Sequence, residues 1–247
     1  MRLIPLEIGR VEGDLRAITG EDGWVTLPVA GWLIEHRHGL ALFDTGMHAD
    51  LQHTTARIGR NAEVFKPDFK PGEELTAQLS RHGIHPGDVA HVILSHLHFD
   101  HAGGTCEIPD ARLVVQRAEW EAGHNQQLVD AGVYTPDDYD LGHDVQLIDG
   151  THDLMGDGSI VCIPTPGHTP GHQSLRVELD SGPVVLAADC IYFQRMLDTM
   201  TVPRFGTDLD QQFDSMHRLA AMQTDGCRLI FGHDLEQFRE IPIAGLI

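Results

Sequence analysis

The sequence predicts an α/β (α+β) fold in which two β-sheets pack together and helices cover their outer faces. Three observations support this prediction. Short apolar segments of β-forming residues recur along the chain, and Gly, Asp and Pro bound nearly all of them. Helical patterns occur between these segments in both halves of the chain. With 247 residues and no low-complexity linker, the chain is expected to form a single domain over residues 1–247.

Seven segments are predicted to be strands because they are apolar and flanked by turn residues. They are residues 27–35, 40–43, 89–94, 112–116, 160–163, 183–187 and 228–231. Four of them run directly into His or Asp, in the strings VILSHLHFDH, VCIPTPGH, VVLAAD and LIFGHD. We therefore expect four strand ends to bring metal-ligating side chains to one edge of the sandwich.

Two segments have clear helical patterns. Residues 208–222 are predicted to form a helix that Asp208 caps and that ends before Gly226. Its apolar stripe is expected to consist of Leu209, Phe213, Met216, Leu219 and Ala220. A second helix is predicted over residues 73–82, with Gly83 as its stop.

Composition argues against several classes of partner. The chain has 17 Lys and Arg against 37 Asp and Glu, and its net charge of -20 would repel nucleic acids and anionic membranes. Its four cysteines form no C-x-x-C pair, so free thiols in a reducing compartment are expected. The first residues lack the apolar core of a signal peptide, and no stretch could span a bilayer. We expect a cytoplasmic protein.

Spacing identifies the informative residues among 17 histidines. In SHLHFDHAGG, His96 and His98 are two residues apart and point to the same side of an extended segment. Asp100 and His101 follow at the turn into a predicted helix. A His-x-His pair alone is weak, as His36-Arg37-His38 illustrates. The added Asp-His and two glycines are far more restrictive, and they indicate a metal site.

Three further residues complete this constellation. Alone, His168 would suit a tight turn, Asp189 a capping carboxylate and His233 an ordinary polar position. Each, however, follows an apolar strand. A hydrolytic two-metal site needs neutral imidazoles and a bridging carboxylate. The predicted assignment is His96, His98 and His168 for the first metal, Asp100, His101 and His233 for the second, and Asp189 as the bridge. His172 is expected to have a structural role rather than to bind metal.

These motifs resemble the metallo-β-lactamase superfamily over essentially the full length of the chain. The resemblance implies a four-layer αββα sandwich with its metals along one edge. It also implies that Asp44, in LFDTG, supports the metal-ligating loop. The fold hosts many chemistries, so local departures must decide the reaction. The acid at position 189 argues against antibiotic hydrolysis, His98 argues against the flavodiiron branch, and the acidic surface disfavours RNA processing.

Within the superfamily, the chain is most similar to the N-acyl homoserine lactone lactonases. The shared strings are LPVAGWLIE, HLHFDHAGG, VVQRAEWEA, TPGHTPGHQSL and FGHDLEQ. Tyr192 matches the tyrosine that hydrogen-bonds substrate oxygen in that family, although a buried core tyrosine is the alternative. Asp100 is expected to relay a proton to the leaving group. Phe99 is expected to line the acyl pocket. Gly206 matches a position whose backbone contacts substrate, but Arg204-Phe205 departs from the small residues found there.

The predicted function is therefore hydrolysis of the lactone ring of N-acyl homoserine lactones, that is, quorum quenching. The alternatives are hydrolysis of another lactone or ester, a thioesterase similar to glyoxalase II, and a metal-binding module without turnover. Two divalent cations are expected; zinc is the leading candidate, and iron, cobalt and manganese suit the same ligands. The chain is expected to act as a monomer or a homodimer.

Overall fold

The computed structural model describes residues 1–247 as two β-sheets packed against each other, with helices around them. The predicted fold class is confirmed. The first sheet has seven strands in the order β4-β1-β2-β3-β5-β6-β7, and the second has five in the order β12-β11-β10-β9-β8. The strands of the first sheet are β1 (Arg2–Asp14), β2 (Trp24–His36), β3 (Gly39–Phe43), β4 (Phe65–Asp68), β5 (Val89–Ile93), β6 (Arg112–Gln116) and β7 (Val145–Ile148). Those of the second are β8 (His152–Asp153), β9 (Ile160–Pro164), β10 (Gln173–Leu179), β11 (Gly182–Leu186) and β12 (Arg228–Ile230).

Eight α-helices connect or cover the strands. They are α1 (Leu15–Ile18), α2 (Leu75–Arg81), α3 (Phe99–Ala102), α4 (Arg117–Gly123), α5 (Gln126–Asp130), α6 (Gln194–Thr199), α7 (Leu209–Thr224) and α8 (Leu235–Glu240). No helix combines the length and the apolar character that crossing a membrane requires.

All seven predicted strands are present, and five further strands were not predicted. Two of these, β1 and β10, carry charged or polar residues that weaken an apolar pattern. In β10, for example, Gln173 and Ser174 are buried but hydrogen-bonded: Gln173 donates to the Leu94 carbonyl at 2.8 Å and Ser174 to the Ala187 carbonyl at 3.0 Å. Polar residues satisfied in this way are compatible with a central strand.

Buried apolar side chains form two clusters between the layers of the fold. One fills the space between the sheets, where Phe43 and Ile93 from the first sheet meet Leu175 and Val177 from the second. The larger cluster contains residues from the opposite faces of the strands and from helices α2 and α7. Alternation along β3, β5, β6 and β11 places neighbouring residues in different clusters, as expected for sheets covered on both faces.

Helix α7 begins and ends close to the predicted positions, but its buried face differs from the predicted stripe. Asp208 caps the helix by accepting a hydrogen bond from the Gln211 amide at 3.0 Å. Met216 and Leu219 are buried as expected, whereas Leu209 and Phe213 are exposed. Their places on the inner face are taken by Gln212 and Ser215, whose side chains hydrogen-bond to backbone carbonyls. The prediction for Leu209 and Phe213 was wrong because hydrogen bonding determines which face turns inward.

Strand direction brings the candidate ligands to one edge. Strands β3, β5 and β6 run parallel to one another. In the other sheet β11 is parallel to β12, and β9 has the same direction because both β9 and β11 are antiparallel to β10. Segments that follow the carboxyl ends of these strands therefore meet at the same edge.

Packing between the sheets is expected to dominate stability. Leu175, fully buried in β10, contributes to the cluster between them. Leu175→Ala should lower the free energy of unfolding of the metal-loaded protein by about 2–5 kcal/mol, since it removes buried methyl groups and leaves a cavity. Urea denaturation measures the change. The matched control is Leu141→Ala, at a side chain that is 41% exposed, which should change stability by less than about 0.5 kcal/mol. Equal losses in the two variants would contradict this view of the core.

Candidate metal centre

The first group of candidate ligands comes from two loops. His96 and His98 lie in the extended segment between β5 and α3, and His168 follows β9. His98 Nδ1 is 3.0 Å from His96 Nε2 and 3.1 Å from His168 Nε2. The structure thus brings the three nitrogens predicted for one metal into a single cluster.

The second group combines the start of α3 with the loop after β12. The Asp100 carboxylate is 3.8 Å from His101 Nε2 and 3.9 Å from His233 Nε2. These three ligand atoms all lie within 4.8 Å of one another. They are the residues predicted for the other metal.

Asp189 lies between the two groups. Its Oδ1 is 3.0 Å from His101 Nε2 and 3.1 Å from His233 Nε2, while its Oδ2 is 3.2 Å from His168 Nε2. The turn after β11 delivers this carboxylate through Ala188, which adopts a positive φ of 45°. Such a conformation is strained for a residue other than glycine, and it persists only where the surroundings fix it.

Two neutral side chains hold the backbone of Asp189. His172 Nε2 accepts a hydrogen bond from the Asp189 amide at 3.1 Å, and Gln212 Nε2 donates to the Asp189 carbonyl at 2.9 Å. Burial lowers the pKa of His172 to about 3, so its ring is neutral and suited to accept. His172 contacts the backbone of Asp189 and does not belong to the clusters of candidate ligand atoms.

Asp44 lies directly behind the first histidine loop. Its carboxylate accepts hydrogen bonds from the Ser95 amide at 2.7 Å and from the Ser95 hydroxyl at 2.8 Å. It also lies 2.8 Å from His101 Nδ1. Asp44 has a positive φ of 59°, so the bend after β3 is itself strained. The structure thus brings this predicted supporting residue into contact with the loop and with one of its ring nitrogens.

The donor set fits divalent cations. His101 and His233 place their Nδ1 atoms on Asp44 and on the Pro28 carbonyl, which leaves each Nε2 facing inward. Metal-binding histidines are usually held in this way. His101 Nε2 is buried, and its 3.0 Å approach to Asp189 Oδ1 lacks the geometry of a hydrogen bond. Burial also lowers the pKa of His96 and His168 well below the ordinary histidine value, which favours the neutral form that binds metal.

An apolar cavity of about 240 Å³ opens beside the centre. Its polar floor consists of His98, Asp100, Asp189, Tyr192 and His233. Its walls are formed by Ala17, Leu27, Asn61, Val64, Phe65, Phe99, Val133 and Phe205. A few convergent polar groups within apolar walls are typical of a small-molecule site.

Tyr192 and Phe99, the residues predicted to contact substrate, both line this cavity. The Tyr192 hydroxyl donates a hydrogen bond to Asp189 Oδ2 at 2.6 Å, and its ring lies 4.7 Å from that of His233. Burial and the neighbouring Asp189 raise the pKa of Tyr192 well above its ordinary value, so the hydroxyl keeps its proton. Gly206 is not among the lining residues. A Cβ at Gly206 would lie only 2.6 Å from Gln212 Oε1, and the adjacent Phe205 faces the cavity instead.

Sequence analysis missed Glu119, Tyr134 and Gln212, which all contact the metal-binding loops from behind. Glu119 is fully buried and accepts hydrogen bonds from the amides of Leu97 and Gly171. One signal was available: Glu119 shares the buried face of α4 with Ala122 and Gly123, and an acid on the apolar face of a helix needs hydrogen-bond partners. Tyr134 and Gln212 give no comparable signal.

Known proteins with this fold resemble the chain over nearly its whole length. It is 31% identical to the N-acyl homoserine lactonase AttM of Azorhizobium caulinodans, over 98% of this chain and 97% of that protein. It is 34% identical to an N-acyl homoserine lactonase of a Bacillus species, over 86% and 84% of the two chains.

A solved structure of an N-acyl homoserine lactone hydrolase, with N-hexanoyl-L-homoserine bound at its catalytic metal centre, superimposes with a TM-score of 0.87 at 29% identity. The match covers 98% of this chain and 96% of that one. The characteristic pattern of the metallo-beta-lactamase superfamily matches residues 24–233. This match covers eleven of the twelve strands and all seven candidate ligands, so the chain belongs to the metallo-beta-lactamase superfamily.

Proposed function

We propose that this protein is a metal-dependent hydrolase that opens the lactone ring of N-acyl homoserine lactones and so quenches quorum sensing. The observation that carries this proposal is the cavity, whose floor holds four of the seven candidate metal ligands and Tyr192, while seven of its eight wall residues are apolar. A substrate with a polar lactone head and an apolar acyl tail matches this division. The lactonase relatives and the product-bound structure described above support the same substrate class.

The seven residues His96, His98, Asp100, His101, His168, Asp189 and His233 would hold two divalent cations. When bound, such cations supply a water that ionises near neutral pH and polarise the carbonyl oxygen of the substrate. Asp189 would serve both cations, because its two oxygens face the two groups of nitrogens. Zinc is the proposed metal because these nitrogen and oxygen ligands suit it.

Tyr192 is proposed to stabilise charge on the substrate. Its protonated hydroxyl lies at the cavity floor and would exchange its hydrogen bond to Asp189 for one to the carbonyl oxygen of the substrate. A donor placed where negative charge develops lowers the barrier to acyl transfer.

Asp100 is proposed to relay a proton to the departing ring oxygen. Its side chain is 14% exposed, against 2% for Asp189, and it lines the cavity. It can therefore exchange protons with solvent more readily than the buried carboxylate can. Phe99 is proposed to contact the acyl chain. The backbone of Gly206, next to the cavity-lining Phe205, is proposed to contact the substrate. A cytoplasmic location and a monomeric or homodimeric state remain predictions.

Acid release measured with a pH indicator tests the proposed reaction. Zinc-loaded protein should hydrolyse N-acyl homoserine lactones in preference to simple γ-lactones and glutathione thioesters. Chelation should abolish this activity and lower the melting temperature, since cations that bind only the folded state stabilise it. Zinc should restore both. Preference for glutathione thioesters would identify a thioesterase instead, and absence of turnover on the whole panel would contradict the proposed function.

The hydroxyl of Tyr192 is expected to contribute mainly to turnover. Tyr192→Phe should lower kcat on the order of 100-fold while the metal content stays at two ions per chain. The control is Tyr139→Phe, which removes a buried hydroxyl that donates to the Gly123 carbonyl away from the cavity. Steady-state kinetics and elemental analysis give both quantities. A Tyr192→Phe enzyme with unchanged kcat would assign the residue to packing alone.

Phe205 is expected to limit the length of the acyl chain. Its ring packs edge-on against Phe65 at 5.8 Å, and Phe65 in turn lies 6.3 Å from Phe99, so these aromatic side chains narrow the cavity. Phe205→Ala should raise the ratio of kcat/KM for dodecanoyl over hexanoyl homoserine lactone by about 10-fold. Phe213→Ala, at a similarly exposed phenylalanine that does not line the cavity, should leave the ratio unchanged. An equal ratio in both variants would exclude Phe205 as a determinant of specificity.

A further inference from the structure

Glu119 is a buried carboxylate near the start of α4 that the proposed reaction does not use. Its Oε1 accepts hydrogen bonds from the Leu97 amide at 3.0 Å and from the Tyr134 hydroxyl at 3.1 Å. Its Oε2 accepts one from the Gly171 amide at 3.0 Å. The side chain is fully buried, a costly position for a carboxylate unless donors replace the lost water.

The two oxygens of Glu119 serve two different loops. Leu97 lies between His96 and His98, whereas Gly171 lies three residues after His168. One rigid carboxyl group therefore spans the loops that carry all three candidate ligands of the first metal. Because backbone amides are the contact points, a shift of either amide moves the histidines beside it.

Two independent contacts show how tightly this arrangement is packed. A Cβ at Gly171 would lie 2.1 Å from the Glu119 backbone nitrogen, so the second loop rests directly on the backbone of α4. On the other side, the Tyr134 ring lies 5.6 Å from the His98 ring while its hydroxyl reaches Glu119. Glu119 thus contacts one loop through Gly171 and reaches His98 through Tyr134.

We propose that Glu119 is a positioning residue that sets the separation of the two histidine loops and thereby the affinity of the first metal. The proposal rests on the proposed function only in taking His96, His98 and His168 as ligands. Groups that orient metal ligands commonly alter metal affinity about 10- to 100-fold when they are replaced.

Glu119→Gln provides the sharpest test. The amide keeps the size of the side chain but has a single oxygen, so either the Leu97 or the Gly171 amide would face an NH₂ group. Zinc affinity, measured by chelator competition, should fall about 10- to 100-fold for one of two binding steps. The weakened step should be the same zinc-binding step that the His168→Ala variant loses, because His168 is a candidate ligand of the first metal. The absorption spectrum of the cobalt-substituted protein should change as well, and excess zinc should restore most of the lactonase activity.

Glu121→Gln is the matched control, because Glu121 is exposed on the same helix. It should retain both binding steps and the cobalt spectrum of the unaltered protein. Wild-type affinities and spectrum in folded Glu119→Gln would overturn the proposal. Weakening of both steps equally would also overturn it, since that result would indicate general damage.

Tyr134→Phe keeps the test decisive if Glu119→Gln does not fold. It removes one of the three donors to Glu119 and retains both backbone hydrogen bonds and the ring beside His98. A smaller loss, confined to the same zinc-binding step, is expected. The proposal would be overturned if Glu119→Gln did not fold and Tyr134→Phe bound zinc with unchanged affinity. That result would assign Glu119 a role in folding only. Failure of the unaltered protein to hydrolyse lactones would instead contradict the proposed function, since the zinc measurements require no substrate.

Discussion

The Asp189 carboxylate has one oxygen 3.0 Å from His101 Nε2 and the other 3.2 Å from His168 Nε2. These two nitrogens belong to loops that follow strands of different sheets, so the position of one side chain couples the two halves of the sandwich. The same residue is held at its amide by His172, at its carbonyl by Gln212 and at its carboxylate by Tyr192. Such complete bonding of a buried polar residue fixes its geometry, whereas a partly bonded one would be costly.

Strand direction explains why so many metal-ligating residues can meet without a dedicated domain. Parallel strands in each sheet end at the same edge, and the following turns need only one or two residues with unusual backbone angles to aim their side chains. Asp44 and Ala188, both at positive φ, occupy such turns. Ala188 belongs to the apolar cluster between the sheets and Asp44 directly follows its member Phe43, so this packing sustains their strain.

The sequence sufficed to predict that the seven candidate ligands come together, because each follows an apolar strand in a short, recognisable string. It also sufficed for the strands that are apolar on both faces. It did not predict β10, whose buried Gln173 and Ser174 are satisfied by partners distant in sequence. The inward face of α7 was missed for the same reason, since Gln212 turns inward to reach Asp189. Residues that act through long-range hydrogen bonds leave little local pattern, and Gln212 is the clearest example.

The cavity and the metal centre are built from different parts of the chain. Candidate ligands follow strands β5, β9, β11 and β12, whereas Asn61, Val133 and Phe205 reach the cavity from connecting segments. Connecting segments tolerate substitution and insertion better than the strands that they join. During evolution, the residues that line the cavity walls can therefore change while the candidate metal ligands are retained. A lineage with this architecture can acquire new substrates through a few changes in its loops, without passing through an ancestor that has lost its metals.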